Sequence, residues 1–135
     1  MKPQLLLRIA ATLVLLHLAG HTVGVFTWDQ APNSRIAAVI AGMKTEHFDF
    51  QGRSVTLAAF FTGYGISMIF VLSFLIVQLW QLSVKPVKNL LLLTALLLTA
   101  LAISEWIWFF ALPAVLSFIA AVCICRAALL VSKSS

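Results

Sequence analysis

His17, His21, Tyr64 and Glu105 are the side chains whose types and spacing can do chemistry, because each sits in an otherwise apolar stretch. An ionisable group inside a membrane span costs about 2.5–3.5 kcal/mol at the helix centre on insertion scales, so its presence points to a partner or a task. His17 and His21 are four residues apart and fall on one helix face with Gly24 and Trp28. That spacing suits a shared metal, a haem ligand, a proton relay, or hydrogen bonds to Tyr64, threonines and Glu105. No thiolate or carboxylate stands at a matching position on the same helix to complete a zinc set, so the reading adopted has no metal and no cofactor. Glu105, beside Trp106 and Trp108, is either a solvated helix end or a buried acid facing His21. In the second case the two groups divide general-acid and general-base roles, because each shifts the other's pKa.

A second polar set runs from Met43 to Ser54, where charges alternate with aromatics. It reads as an ordered cap tied down by Asp49 with Arg53 or by Asp29 with Arg53. Cys123 and Cys125 are turned about 200° apart on a helix and read as small apolar residues rather than a metal or redox pair. There is no phosphate-cradling glycine loop, no Gly-x-Ser-x-Gly, no His-Glu-x-x-His and no Cys-x-x-Cys, which argues against the common soluble chemistries.

The elements that must position these groups follow from composition. Of 135 residues, 62% are apolar and 10% charged, against about 45–50% and about 25% in soluble domains. Apolar runs near 5–27, 55–84, 89–111 and 113–132 each reach the roughly 20 residues that cross a bilayer. The expected fold is an all-α bundle of four transmembrane helices in one domain, with an outer cap over 28–54. In that cap Asn33 or Ser34 starts a short amphipathic helix carrying Ile36, Val39, Ile40 and Met43 on one face. The helix lies on the outer membrane surface or folds over the bundle mouth. The first run also resembles a secretory signal, but His17 and Leu18 spoil the small-residue cleavage pattern, which favours an uncleaved helix. The second run is too long for the hydrocarbon core and either projects outward or bends at Gly63-Tyr64-Gly65. Asn89 is expected to cap the third helix, and Pro113 to lie in the first turn of the fourth.

Although the net charge is +5, the basic residues sit at the ends of apolar runs, which argues against nucleic acid and for a membrane. Lys2, Arg8, Lys85, Lys88, Arg126 and Lys133 fall on one side of alternating spans, with Arg35, Lys44 and Arg53 on the other. The positive-inside rule then puts both termini in the cytoplasm. Measured from Arg8, His17 is roughly 14 Å and His21 roughly 20 Å up, while Glu105 is roughly 26 Å above Lys88 and Tyr64 roughly 32 Å above Lys85. All but His17 then fall in the outer half. Small residues four apart, Gly20 with Gly24 and Ala59 with Gly63 and Ser67, mark close helix packing within the bundle, or contact with a second copy.

Four motifs carry a resemblance: His21-Thr22-Val23-Gly24 with Phe26-Thr27-Trp28; Met43 with His47-Phe48-Asp49-Phe50; Arg53-Ser54 before Gly63-Tyr64-Gly65; and Glu105 before Phe109-Phe110-Ala111-Leu112-Pro113. Through them the chain resembles a family of small bacterial four-helix inner-membrane proteins that has no assigned activity. The resemblance implies the fold, a multi-pass inner-membrane location and an outward-facing site, but no substrate. The expected function is binding of a small lipophilic or lipid-like molecule in an outer-half cleft walled by His17, His21, Tyr64 and Glu105. The alternatives are a membrane enzyme using His21 and Glu105 on a lipid-soluble substrate, and an accessory subunit of a membrane complex. Sequence leaves open which of these holds.

Overall fold

The computed structural model describes residues 2–132, which leaves Lys133 outside the described residues. The elements are α1 (Pro3–Thr27), α2 (Ser34–Thr45), β1 (His47–Phe50), β2 (Arg53–Thr56), α3 (Leu57–Val84), α4 (Lys88–Trp108) and α5 (Ala111–Ser132). Helices α1, α3, α4 and α5 are each long and apolar enough to cross a membrane, which makes this a multi-pass helical membrane protein. The chain divides into two compact units, residues 2–20 with 71–132, and residues 21–70.

The first unit is a bundle built from the opening of α1, the end of α3, and all of α4 and α5. Its core is a set of stripes at helical spacing: Leu7, Ala10, Ala11 and Val14 on α1, Leu72, Leu75, Leu79 and Leu82 on α3, and Leu91, Ala95, Leu98 and Ala102 on α4. The α4 leucines divide by face, with Leu91 and Leu98 buried while Leu93 and Leu96 are exposed, so the tract is only partly turned toward lipid. Helix α5 supplies Ala114, Ser117, Ala120, Ala121, Ala127 and Ala128, all buried. This small-residue face lets the α4 and α5 backbones lie close, and dispersion across such a seam replaces the hydrophobic drive that lipid removes.

That packing corrects the expected seams. Gly20, Gly24, Ala59, Gly63 and Ser67 are all exposed, and a Cβ added at Gly20, Gly24 or Gly63 meets nothing within 4 Å. Small size alone does not say which way a residue faces. The α5 stripe works because its spacing of three and four keeps Ala114, Ser117 and Ala121 on one side.

Several helix ends also differ from expectation. Val87, not Asn89, stands at the α4 N-cap with an extended backbone and makes no side-chain cap bond; the Leu91 N–H reaches the Val87 carbonyl at 3.0 Å. Helix α4 stops at Trp108, three residues short of the expected end, where Phe109 leaves helical geometry. Pro113 does lie in the first turn of α5.

The second unit joins the end of α1 to α2, the hairpin and the opening of α3. Asn33 caps α2, its Oδ1 accepting the Ile36 N–H at 3.0 Å, as the sequence predicts. The hairpin was not anticipated. Its strands pair antiparallel with His47 opposite Thr56 and Phe50 opposite Arg53, and its two-residue loop places Gln51 at φ 54° and Gly52 at φ 79°. Two positive φ values match the twist of the strands, and only glycine takes such a conformation without strain. Thr56 then ends β2 and caps α3, its Oγ1 accepting the Ala59 N–H at 3.2 Å. The second apolar run thus loses Val55 and Thr56 to a strand, and α3 continues without a break through Gly63 and Gly65.

Candidate functional site

Three helices of the first unit bring His17, Glu105 and Ser117 together. His17 Nε2 lies 3.4 Å from Glu105 Oε1, and Ser117 Oγ is 3.2 Å from His17 Nδ1. All three are buried, at 6%, 8% and 2% exposure respectively. Each comes from the buried stripe of its own helix: His17 continues the Val14 face, Glu105 the Ala102 face, and Ser117 the alanine face of α5. Carboxylate, imidazole and hydroxyl therefore stand in line, with one ring nitrogen toward each neighbour.

The line admits more than one proton arrangement. With neutral His17 protonated at Nε2, that N–H faces the carboxylate and Nδ1 accepts the Ser117 O–H. With the proton on Glu105, the carboxyl O–H faces Nε2 and Nδ1–H donates to Ser117 Oγ. An imidazolium beside a carboxylate, donating from both nitrogens, carries the same net charge as the neutral pair. Moving the proton between partners thus changes no net charge inside the bilayer. A nucleophilic role for Ser117 needs an accessible Oγ and oxyanion donors, whereas this hydroxyl is sealed in the helix seam.

The sequence allows a hydrogen bond to Glu105 from either α1 histidine, with Glu105 opposite His21 as the sharper alternative; within the first unit the neighbour is His17.

His21 belongs to the second unit, where its Nε2 lies 2.9 Å from the Gly65 carbonyl. A carbonyl only accepts, so this bond puts a proton on Nε2. The close approach needs Gly65, since a Cβ there would meet Val25 Cγ2 at 2.7 Å. Tyr64, the fourth expected wall residue, is 73% exposed and stacks on Phe60 at 6.3 Å between centroids.

The cap ion pairs also change. Asp29 binds Lys44 Nζ at 2.7 Å, and no ion pair joins Arg53 to Asp29 or Asp49 among the described residues. Asp49 Oδ1 instead accepts the Gly52 N–H at 3.1 Å, bracing the hairpin turn. The Lys44 hydrogen bond, followed by its charge, lowers the Asp29 carboxyl below its usual value. Lys44 also lies 5.8 Å from the Trp28 ring centre, and Trp28 packs on Phe61 at 5.0 Å. Phe48 and Phe50, on one face of β1, both meet Phe60.

Ser117 is the site residue that sequence reasoning missed. Its signal was its setting, a hydroxyl two turns into α5 on a face otherwise made of alanine. No group of three or more His, Cys, Asp or Glu side chains is placed to hold a metal ion among the described residues. Cys123 and Cys125 are free thiols on α5. Compared with family models, curated proteins and solved structures, the chain has no match.

Proposed function

We propose that this is a bacterial inner-membrane protein with both termini cytoplasmic, which binds a small lipophilic molecule through a proton-exchanging His17–Glu105 pair. The observation that carries the reading is the 3.4 Å approach of two ionisable side chains, each under a tenth exposed, on helices that suit a membrane. As architecture alone the pair is a poor choice. Each ionisable residue costs on the order of 2.5–3.5 kcal/mol at a span's centre, while a polar contact between membrane helices returns about 0.6 and at most about 1.7 kcal/mol. Leucine at both positions would fill the seam without that deficit, so the pair is better explained by use. The orientation is supported by Lys2, Arg8, Lys85, Lys88 and Arg126 at one end of the spans, and by the family resemblance. Acid–base catalysis on a lipid-soluble substrate would use the same two groups.

The test has two readouts on the full chain. In ¹⁵N spectra, Glu105→Gln is expected to move the titration midpoint of His17, because the shared proton is lost. Mass spectrometry of detergent-purified protein is expected to find a lipophilic molecule that the His17→Gln, Glu105→Gln double variant loses. Identical bound molecules in the wild type and the double variant would sink the proposal, whatever the His17 titration shows.

A second reading rests on a different observation. The exposed Gly20 and Gly24, and Ala59, Gly63 and Ser67, leave room for another helix at van der Waals distance. They favour assembly with a second copy or a partner subunit, which Gly24→Leu would disrupt in a cross-linking assay.

A further inference from the structure

We propose that the groove between the start of α1 and the end of α3 binds the phosphate-bearing headgroup of an anionic glycerophospholipid. This inference concerns the first unit alone and does not depend on the His17–Glu105 reading. The groove is a cavity of about 490 Å³ lined by Lys2, Gln4, Leu5, Arg8, Ser83 and Val84. Two cations and an amide thus converge on one space with no carboxylate among its walls. Among the described residues neither Lys2 nor Arg8 forms an ion pair. Within the first unit the acidic side chain is Glu105, which is held beside His17.

Arg8 is oriented for this task. Its guanidinium lies over Trp80 at 5.4 Å, which holds a planar fork of donors at the level of the last turn of α3. The Ser83 hydroxyl donates to the Trp80 carbonyl at 2.7 Å, and Ser83 itself is fully buried at the base of the wall. A phosphate oxygen pair matches the guanidinium fork. Leu5 and Val84 decide between a lipid and free phosphate, for they are 50% and 72% exposed on the same rim. Apolar surface next to a cation pair suits a molecule with a charged head and acyl chains, at the depth where basic pockets between membrane helices take lipid headgroups.

The experiment uses the full chain in micelles containing equimolar phosphatidylglycerol and phosphatidylcholine with matched acyl chains, and native mass spectrometry counts the retained lipid. Wild type is expected to retain phosphatidylglycerol preferentially. Removing one cation should lower that retention about fivefold and removing both about 30-fold. Lys2→Gln and Arg8→Gln supply the single losses, and Lys2 lies outside the apolar packing, so its variant reads the site even if Arg8→Gln misfolds. Arg8→Lys should keep most of the retention, and Arg35→Gln, in the other unit, all of it. Inorganic phosphate alone, followed by ³¹P line broadening, should bind far more weakly. Equal retention of the two lipids, or equal phosphatidylglycerol retention in Lys2→Gln and Arg35→Gln, overturns the proposal. Binding of inorganic phosphate without any lipid preference overturns the lipid assignment in favour of a free anion.

Discussion

Gly65→Ala should destabilise the protein by about 2–4 kcal/mol, although alanine is the better helix former. The added Cβ would stand 2.7 Å from Val25 Cγ2 and 3.3 Å from Cγ1. Carbon atoms at rest keep about 3.5–4.0 Å, so α1 and α3 must part locally by about 1 Å. Val25 cannot turn away cheaply, because a β-branched side chain in a helix has one strongly preferred rotamer and this one is buried at 7% exposure. Overpacking of this kind costs about 1–3 kcal/mol. The same displacement stretches the 2.9 Å bond from His21 to the Gly65 carbonyl beyond hydrogen-bond range, which adds about 0.6–1.7 kcal/mol in a membrane protein. Reversible unfolding in mixed micelles measures the sum, and the His21 ring ¹⁵N shift reports the lost bond. Two controls set the sign. Gly63→Ala has open space for its Cβ and should be neutral or up to about 1 kcal/mol stabilising, and Val25→Ala should relieve much of the cost of Gly65→Ala. Equal behaviour of Gly63→Ala and Gly65→Ala, with an unchanged His21 signal, would refute the proposed close approach.

Two further outcomes follow from the second unit. The Asp29 carboxyl is lowered from 3.8 by Lys44, so the pair supports the fold above the unfolded value and that support is lost as pH falls through the lower folded value. Lys44→Gln should return the Asp29 midpoint in carboxyl ¹³C titrations upward toward 3.8, and added salt should move it the same way; an unmoved midpoint in Lys44→Gln removes the ion pair from the account. Gly52→Ala forces a side chain onto a residue at φ 79° and should cost about 1–2 kcal/mol of hairpin stability. Faster amide exchange confined to residues 47–56 would register that loss, and unchanged exchange would mean that the turn is not the constraint.

The spans were legible because a bilayer demands length and apolarity, and both are properties of a linear string. The α2 start was legible for a similar reason, since Asn33 and the N–H it caps are three residues apart. The hairpin was not, because four-residue strands carry little alternation and the signal lay in the Gln51-Gly52 turn and the Phe48, Phe50 pair. Glu105 and His17 were recognised as informative from the cost of burying them, yet which side chains meet depends on how the helices are rotated and packed, which a linear string does not carry. Lys44 was not weighed as the partner of Asp29, because the two are 15 residues apart and only the fold brings the last turn of α2 back to the end of α1. Gly65 was weighed only as part of a bend, the lesser alternative to a projecting turn, and works as a contact.

The two histidines of α1 are four residues apart and of one type, yet their surroundings give them different capacities. His21 has Nε2 against a backbone carbonyl, an acceptor with a single protonation state at any accessible pH. That bond fixes a proton in place and ties α1 to α3 where glycine permits contact. His17 has Nε2 against a carboxylate and Nδ1 against a hydroxyl, and both neighbours can donate or accept according to where the proton lies. Exchanging Glu105 for glutamine preserves shape and most polar contact while removing the second titratable site. If the His17 line served only to hold helices together, that exchange would move the His17 midpoint through the lost charge alone and leave the bound molecule in place. If the line exchanges protons with a bound molecule, stability stays near wild type while that molecule is lost, and this separation of the two readouts is what distinguishes a working pair from a structural one.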